Sequence, residues 1–476
     1  MIRIINAFCG NIYFMKIRDG QKKLDILILA AGLGTRMRSD VVKVLHDLDG
    51  RPLIDHVCRT ASALGPRNVY VVVGHQGESV KSAVLKVLES DQVKFAVQTE
   101  QKGTGDAVNA AREFLENEDS TLLVLSGDVP MIKPETLAAL IDTHSAGDAA
   151  CTILSVNLSE PTGYGRMIRD DKDGFEKIVE QKDATDAERE IKEINAGIYC
   201  FDSRKLFSAL SSVKNNNSQG EYYLTDVPLL LREAGEAVSI YKHNEPSEIE
   251  GINNRMQLAE LERSIRRRTI ARLMLEQGVT FIDPQNAYIS EDAEIGRDTI
   301  IYPNVTIEGR TVIGEGCVIR SGTRLSNAVI GNNVEIRDNC LIVDSSVDDE
   351  ATIGPMAHLR GNAKVQKKAK IGNFVELKKT TLGEGSKASH LTYLGDATIG
   401  KNTNIGAGVV TCNYDGKSKH ETQIGDDVRI GSDTMLVAPV KVGDRVVTGA
   451  GSVVTKDVEA DSLVVGIPAK KIKHLT

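Results

Sequence analysis

At 476 residues the chain is long enough for roughly three domains, or two large ones, which excludes a single small module. Hydrophobic residues make up 41% and charged residues 26%, so wholesale disorder is excluded as well. The balance of 58 Lys and Arg against 66 Asp and Glu gives −8, which argues against a nucleic-acid partner, because phosphate backbones need clustered excess cation. Seven dispersed cysteines (Cys9, Cys58, Cys151, Cys200, Cys317, Cys340, Cys412) form no Cys-x-x-Cys pair and read as reduced thiols of a cytoplasmic protein. No apolar run is long enough to predict a membrane span.

Residues 1–23 are moderately apolar, but Asn6, Gly10 and Asn11 interrupt any signal-like core, and they read as a short extension, frayed rather than functional. From residue 24, apolar runs at Leu24 to Leu29, Val69 to Val73, Val93 to Val97 and Thr121 to Leu125 alternate with helical patterns near 53–64, 77–89, 104–116 and 134–144. That is βαβ grammar, a parallel sheet with helices on both faces and ligands at the strand-end loops. Residues 254–277 are charged and helical, and read as a solvated connecting helix.

The remaining sequence, 278–476, repeats with period six. An aliphatic recurs at Ile295, Ile301, Ile307, Ile313, Ile319 and Leu325, then at Ile330, Ile336 and Ile342, and again from Val347 through Ile353, Leu359, Val365 and Ile371 to Leu377. Ile399, Ile405, Ile424, Ile430, Leu436 and Val442 continue it. Period six fits neither a 3.6-residue helix nor long alternating strands; it predicts a parallel β-helix whose short strands each bury one aliphatic. Glycines after many of these positions suit corners where a side chain would clash or φ must be positive. The polar stretch between Ile405 and Ile424 is expected to project as a loop, and Gly466 to Lys471 to end and cap the solenoid.

After the first strand comes LAAGLGTRM, Leu29 to Met37, then Lys43. Gly32 and Gly34 let backbone N–H groups approach phosphate oxygens, and Arg36 and Lys43 supply positive charge. Asp128, in SGDVP at a strand end, reads on its own as a loop carboxylate or helix cap, though its oxygens also suit a hard cation such as Mg²⁺. His390 lies in SKASHLTYLGDA among polar and basic residues of the later repeats; a histidine is a surface residue by default, and one that can also serve as a base near neutral pH.

The order of G-x-G-T-R-M, QTEQKGTGDA, SGDVP, PTGYGR, VEQKDAT, EINAGIY and EGINNR resembles the sugar-1-phosphate nucleotidylyltransferases. Joined to the hexapeptide repeats, it is similar to the family of bifunctional N-acetylglucosamine-1-phosphate uridylyltransferase / glucosamine-1-phosphate acetyltransferases. The resemblance implies an α/β Rossmann-like nucleotidyltransferase domain (24–253) joined by a helix to a left-handed parallel β-helix (278–476). It implies acetyl transfer from acetyl-CoA to glucosamine 1-phosphate, then uridylyl transfer from UTP to N-acetylglucosamine 1-phosphate, with Mg²⁺, in a homotrimer. In the first domain it points to Leu29, Ala30, Ala31, Gly32, Arg36, Lys43, Gln98, Gly103 and Thr104 for the nucleotide. Gly165, Glu180 and Asn195 match acetamido-sugar contacts, and Asn253 joins Asp128 at the metal. In the second, His390 matches the base, while Arg360, Lys378, Tyr393, Asn404 and Lys419 match the acceptor sugar-phosphate site. Lys419 matches a residue that reaches a neighbouring subunit. Ala407, Asn413, Tyr414, Ser432 and Ala450 match the acetyl-CoA groove.

The departures are Leu33 where Lys or Glu is frequent, Val42 where Pro is usual, and Ile467 where many relatives place an Arg that helps hold CoA, with Lys470 and Lys471 nearby. The first alternative is a monofunctional nucleotidylyltransferase with a non-catalytic, oligomerising β-helix, which predicts no coherent acyl-transfer motif. A non-catalytic interaction protein predicts erosion of Arg36, Lys43 and Asp128, and all three are intact.

Overall fold

The computed structural model describes residues 22–474 and separates into two compact units that divide between Glu260 and Leu261. Residues 1–21 of the expected N-terminal extension lie outside the described residues.

The first unit is built on one mixed sheet. Its strand order is Val238–His243, Cys151–Asn157, Glu193–Asp202, Ser120–Ser126, Lys23–Leu29, Asn68–Val73, Val93–Val97. The last four are mutually parallel, as the alternating pattern predicts, with helices Leu53–Ala63, Gly77–Val84 and Thr104–Asn109 in the crossovers. Glu193–Asp202 departs from that grammar, running antiparallel to both of its neighbours. Leu29 pairs with Ser126 and with Val72, so the strand ends carrying residues 30–43, 98–104 and 126–128 meet at one edge.

The second unit is a left-handed parallel β-helix. Strand partners recur 17 or 18 residues apart, Ile301 with Ile319, Ile319 with Ile336, and Ile336 with Ile353. Every aliphatic in the period-six series lies in the core, none more than 4% exposed. Of the two reasons for glycine after these positions, close approach is the operative one at Gly314, where a Cβ would stand 2.7 Å from the Gly331 carbonyl carbon of the next coil. Positive φ is instead taken at other corners, often by Asn or Asp (Asn304, Asn333, Asn339, Asp427), whose short side chains tolerate it. One coil is longer: Ile399 pairs with Ile424, because residues 413–421 are extruded as a loop. At its base Asn413 is buried rather than projecting. The chain ends with Lys470–His474 turned back antiparallel on Ser462–Val465.

The helix Arg255–Glu276 is only partly solvated, contrary to expectation: Leu261, Ile265, Ile270 and Leu273 are buried, and the last two join the β-helix core. Its high charge masks this apolar stripe. The six described cysteines are free thiols, and burial pushes Cys58 up to about 12 and Cys340 up to about 11.

Candidate active sites

At the edge of the first sheet lies a cavity of about 290 Å³. Leu29, Ala31 and Gly32 form one wall, Gln98, Gly103 and Thr104 another, with Lys43 and Asp128 at the strand end. Gly34 adopts φ 63°, and a Cβ there would lie 2.5 Å from the Lys43 Cβ, so glycine lets the loop fold back over the lysine. Gly103 has φ 114°, with the Tyr222 carbonyl oxygen 2.5 Å from where its Cβ would be. Buried Gln98 donates its amide N–H to Asp106 (2.8 Å) and to the Gly103 carbonyl (3.3 Å), which leaves Oε1 as the acceptor for a ligand N–H.

Lys43 pairs with Asp128, and the Ser126 hydroxyl donates to the other Asp128 oxygen at 2.5 Å. Residues 251–253 run beside that carboxylate: Ile252 N–H donates to the Asp128 carbonyl at 3.1 Å, and Asn253 Oδ1 accepts from Arg36 at 2.7 Å. Asp128 and Asn253 therefore offer oxygen donors suited to Mg²⁺. Among the described residues no group of three or more His, Cys, Asp or Glu could hold a metal. A cation held by these two oxygen donors would take its other ligands from phosphates and water.

Gly165, Glu180 and Asn195 cluster together, outside the walls of that cavity. The Gly165 carbonyl accepts the Asn195 N–H at 2.9 Å, and a Cβ on Gly165 would stand 3.4 Å from Glu180 Oε1. Asn195 donates to the Tyr199 hydroxyl at 2.6 Å and accepts from Gly197 N–H, so its amide holds the strand irregularity. Burial pushes the Glu180 carboxyl above the usual range, only partly offset by the Thr225 hydroxyl. Glu180 opens on a separate cavity of about 300 Å³ with Asp183 and Asp226.

On the β-helix, register places Arg360 beside Lys378, Glu376 beside Tyr393 and Asn373 beside His390. His390 Nδ1 lies 2.6 Å from Asn373 Oδ1. That oxygen can only accept, so Nδ1 carries a proton, and in the neutral ring the lone pair is then on Nε2. Arg360 donates to Glu376 through Nε and Nη2 (2.8 and 2.6 Å). Asp396 accepts from Lys378 (3.3 Å) and from Asn413 (2.6 Å). Within the single chain Lys419 lies beside Lys378. Hydrogen bonding with Lys419 and the nearby Asp396 hold Lys378 up, and the Lys378 ammonium pushes Lys419 down. Gly395 leaves room for the Tyr393 hydroxyl and the Asn413 amide, both in the way of a Cβ. Asn404 is exposed one coil on, paired with Lys387.

Ala407, Ser432 and Ala450 occupy one corner of successive coils: Asp433 N–H donates to the Ala407 carbonyl (2.7 Å) and Gly451 N–H to that of Ser432 (2.8 Å). Tyr414 is exposed, its hydroxyl donating to the Gly416 carbonyl. Ile467 is exposed, and Lys471 is paired with Glu459. Sequence reasoning missed Asn373, Glu376, Asp396 and Ser126; Ser126 and Asp396 sit inside SGDVP and SKASHLTYLGDA, and Asn373 and Glu376 lie one coil earlier, but their partners emerge only when coils or strand ends close.

A cavity with Lys43 and Asp128 at a strand edge, followed by hexapeptide coils on which His390 bonds Asn373, is the plan of a two-site transferase. Residues 26–193 match the MobA-like NTP transferase domain, residues 282–362 the GMPPB C-terminal domain, and residues 421–456 the bacterial transferase hexapeptide of six repeats. The chain is 48% identical over 437 residues to the bifunctional protein GlmU of Shouchella clausii, covering 92% of this chain and 95% of that one. It is 47% identical to that of Syntrophomonas wolfei, covering 93% and 97%, and 48% identical to that of Geotalea uraniireducens, covering 93% and 96%. The chain belongs to the bifunctional GlmU family. It is an enzyme with both a uridylyltransferase and an acetyltransferase domain.

Proposed function

We propose that the C-terminal unit acetylates glucosamine 1-phosphate from acetyl-CoA and that the N-terminal unit then joins the product to UTP, making UDP-N-acetylglucosamine in the cytoplasm. The observation that carries the acyl half is the run of Arg360, Lys378, His390 and Tyr393 on adjacent strands. Arg360 and Lys378 hold the sugar phosphate, with Tyr393, Asn404 and Lys419 completing that site. Nε2 of His390 takes the proton as the amine nitrogen attacks the thioester carbonyl; the C–N bond forms, the C–S bond breaks, and the departing sulfur takes that proton, so CoA leaves as the thiol and the imidazole is restored. Ala407, Asn413, Tyr414, Ser432 and Ala450 line the CoA path. Lys470, unlike Lys471, makes no ion pair among the described residues, and it supplies the cation that Ile467 lacks.

In the nucleotide cavity Gln98 Oε1 accepts a base N–H, and Leu29, Ala30 and Ala31 carry the backbone along the nucleotide. Arg36 and Lys43 draw the triphosphate oxygens as the sugar-phosphate oxygen attacks the α-phosphorus and pyrophosphate departs. Gly165, Glu180 and Asn195 receive the acetamido sugar. Asp128 and Asn253 would hold Mg²⁺, which neutralises charge on the phosphates when bound. Among the described residues no helix is long and apolar enough to cross a membrane.

Oligomerisation is supported by Met356, Phe374 and Leu391. They occupy one corner of three consecutive coils at φ 54°, 57° and 47°, and are 46%, 53% and 64% exposed. Bulky apolar side chains at positive φ are strained, and exposing them to water adds to the cost. A second and third copy covering this corner would complete a trimer with His390 beside the interface.

The test is CoA-thiol release from acetyl-CoA and glucosamine 1-phosphate without UTP. Release is expected from the native protein and not from His390→Ala, which should keep its uridylyl transfer. No release from folded native protein would make the monofunctional nucleotidylyltransferase the better account.

A further inference from the structure

A cavity of about 510 Å³ in the C-terminal unit shares no residue with the acyl-transfer site. Arg263, Arg266 and Arg267 project into it from the helix Arg255–Glu276, followed at three- and four-residue spacing by Ile270, Ala271 and Met274. These positions fall on one helical face. Opposite them stand Asn286 and Tyr288 of the first coil, and the Arg266 guanidinium lies 4.3 Å from the centre of the Tyr288 ring. None of the lining residues is acidic. Arg263 and Arg267 make no ion pair among the described residues. The adjoining Asp283 is tied into its own turn, accepting from Gln285 N–H (3.1 Å) and the Asn286 amide (2.7 Å).

Three guanidiniums within little more than one helical turn repel one another and weaken the helix unless an anion compensates. Planar guanidinium forks match phosphate oxygens two at a time. Tyr288 and Met274 are 52% and 39% exposed, so the cavity also offers ring and thioether surface to a ligand. Its volume is that of a small-molecule site. We propose that this cavity is a second, non-catalytic site for an oligophosphate, supplied either as a nucleoside polyphosphate whose ring rests on Tyr288 or as inorganic pyrophosphate.

The test is equilibrium dialysis of the full chain, in a Lys43→Ala background that weakens the nucleotide cavity, against UTP, ATP and pyrophosphate separately. Saturable binding is expected, weakened roughly tenfold or more by Arg266→Ala/Arg267→Ala. CoA-thiol release should be unchanged. Arg267→Lys, which keeps the charge and loses the fork, is expected to fall between and guards against a folding defect in the double variant. Weakening of the nucleotides but not of pyrophosphate by Tyr288→Ala identifies the nucleoside form; no effect of Tyr288→Ala on any of the three identifies the inorganic form. Equal binding by the native and arginine-deficient chains overturns the proposal. So does a change in oligomeric mass with ligand affinity unaltered, which would assign the arginines to contacts between copies.

Discussion

The proposed role of His390 as a base depends on the residue that takes its other nitrogen. With Nδ1–H given to Asn373, only Nε2 is left to accept a proton. Asn373→Ala is therefore expected to lower kcat for acetyl transfer by about tenfold or more, within the roughly 10²–10⁴-fold that a general base contributes, with little change in KM for the sugar. Steady-state kinetics of both reactions would check this, with uridylyl transfer as the untouched control. At the other site, Gly34→Ala forces a positive-φ turn onto a Cβ that meets Lys43. Strain of about 1–3 kcal/mol at that loop predicts a loss of roughly tenfold or more in uridylyl transfer, with acetylation unaffected. The two glycines of the phosphate loop are legible in the sequence as a pair, but their separate duties are not. Gly32 lines the cavity, and Gly34 makes room for the side chain of Lys43. His390 is legible from its motif. Asn373, one coil upstream, is not, because that pairing exists only after the coil closes.

For the strands, the period-six pattern is enough to place each core aliphatic. Inward side chains of one coil stack on those of the next, so each strand stabilises its two neighbours and little else. Ile336 is fully buried between Ile319 and Ile353. Ile336→Ala is expected to cost about 2–5 kcal/mol, read as a lower denaturation midpoint of the β-helix transition with uridylyl transfer retained. Strand direction is less legible than strand position: the apolar pattern of Glu193–Asp202 is the same in either orientation, and its antiparallel entry is decided by its neighbours. The helix Arg255–Glu276 reads as solvated because its many arginines outweigh, in any average, the few apolar residues that dock it.

Across the whole molecule, the corner formed by Met356, Phe374 and Leu391 is where one chain is least self-sufficient. Neighbouring coils fill the corresponding corner with Asn339 and Gly408, residues at ease with positive φ. Replacing Phe374 and Leu391 by Ser is expected to give monomers by light scattering, with acetyl transfer lost and uridylyl transfer kept. Composition cannot reveal this corner, since three apolar residues scattered along the chain look like any others until the coils bring them together. The long coil shows the opposite relation between sequence distance and structure. Ile399 meets Ile424 in the same parallel register as Leu382 meets Ile399, although the loop at 413–421 intervenes only in the first pair. The stack therefore reads only the strands and is blind to what leaves at a corner. A lineage built this way can lengthen, trade or rewrite its reactive loops as attachments to an unchanged spindle, so new chemistry can be tried without renegotiating the fold.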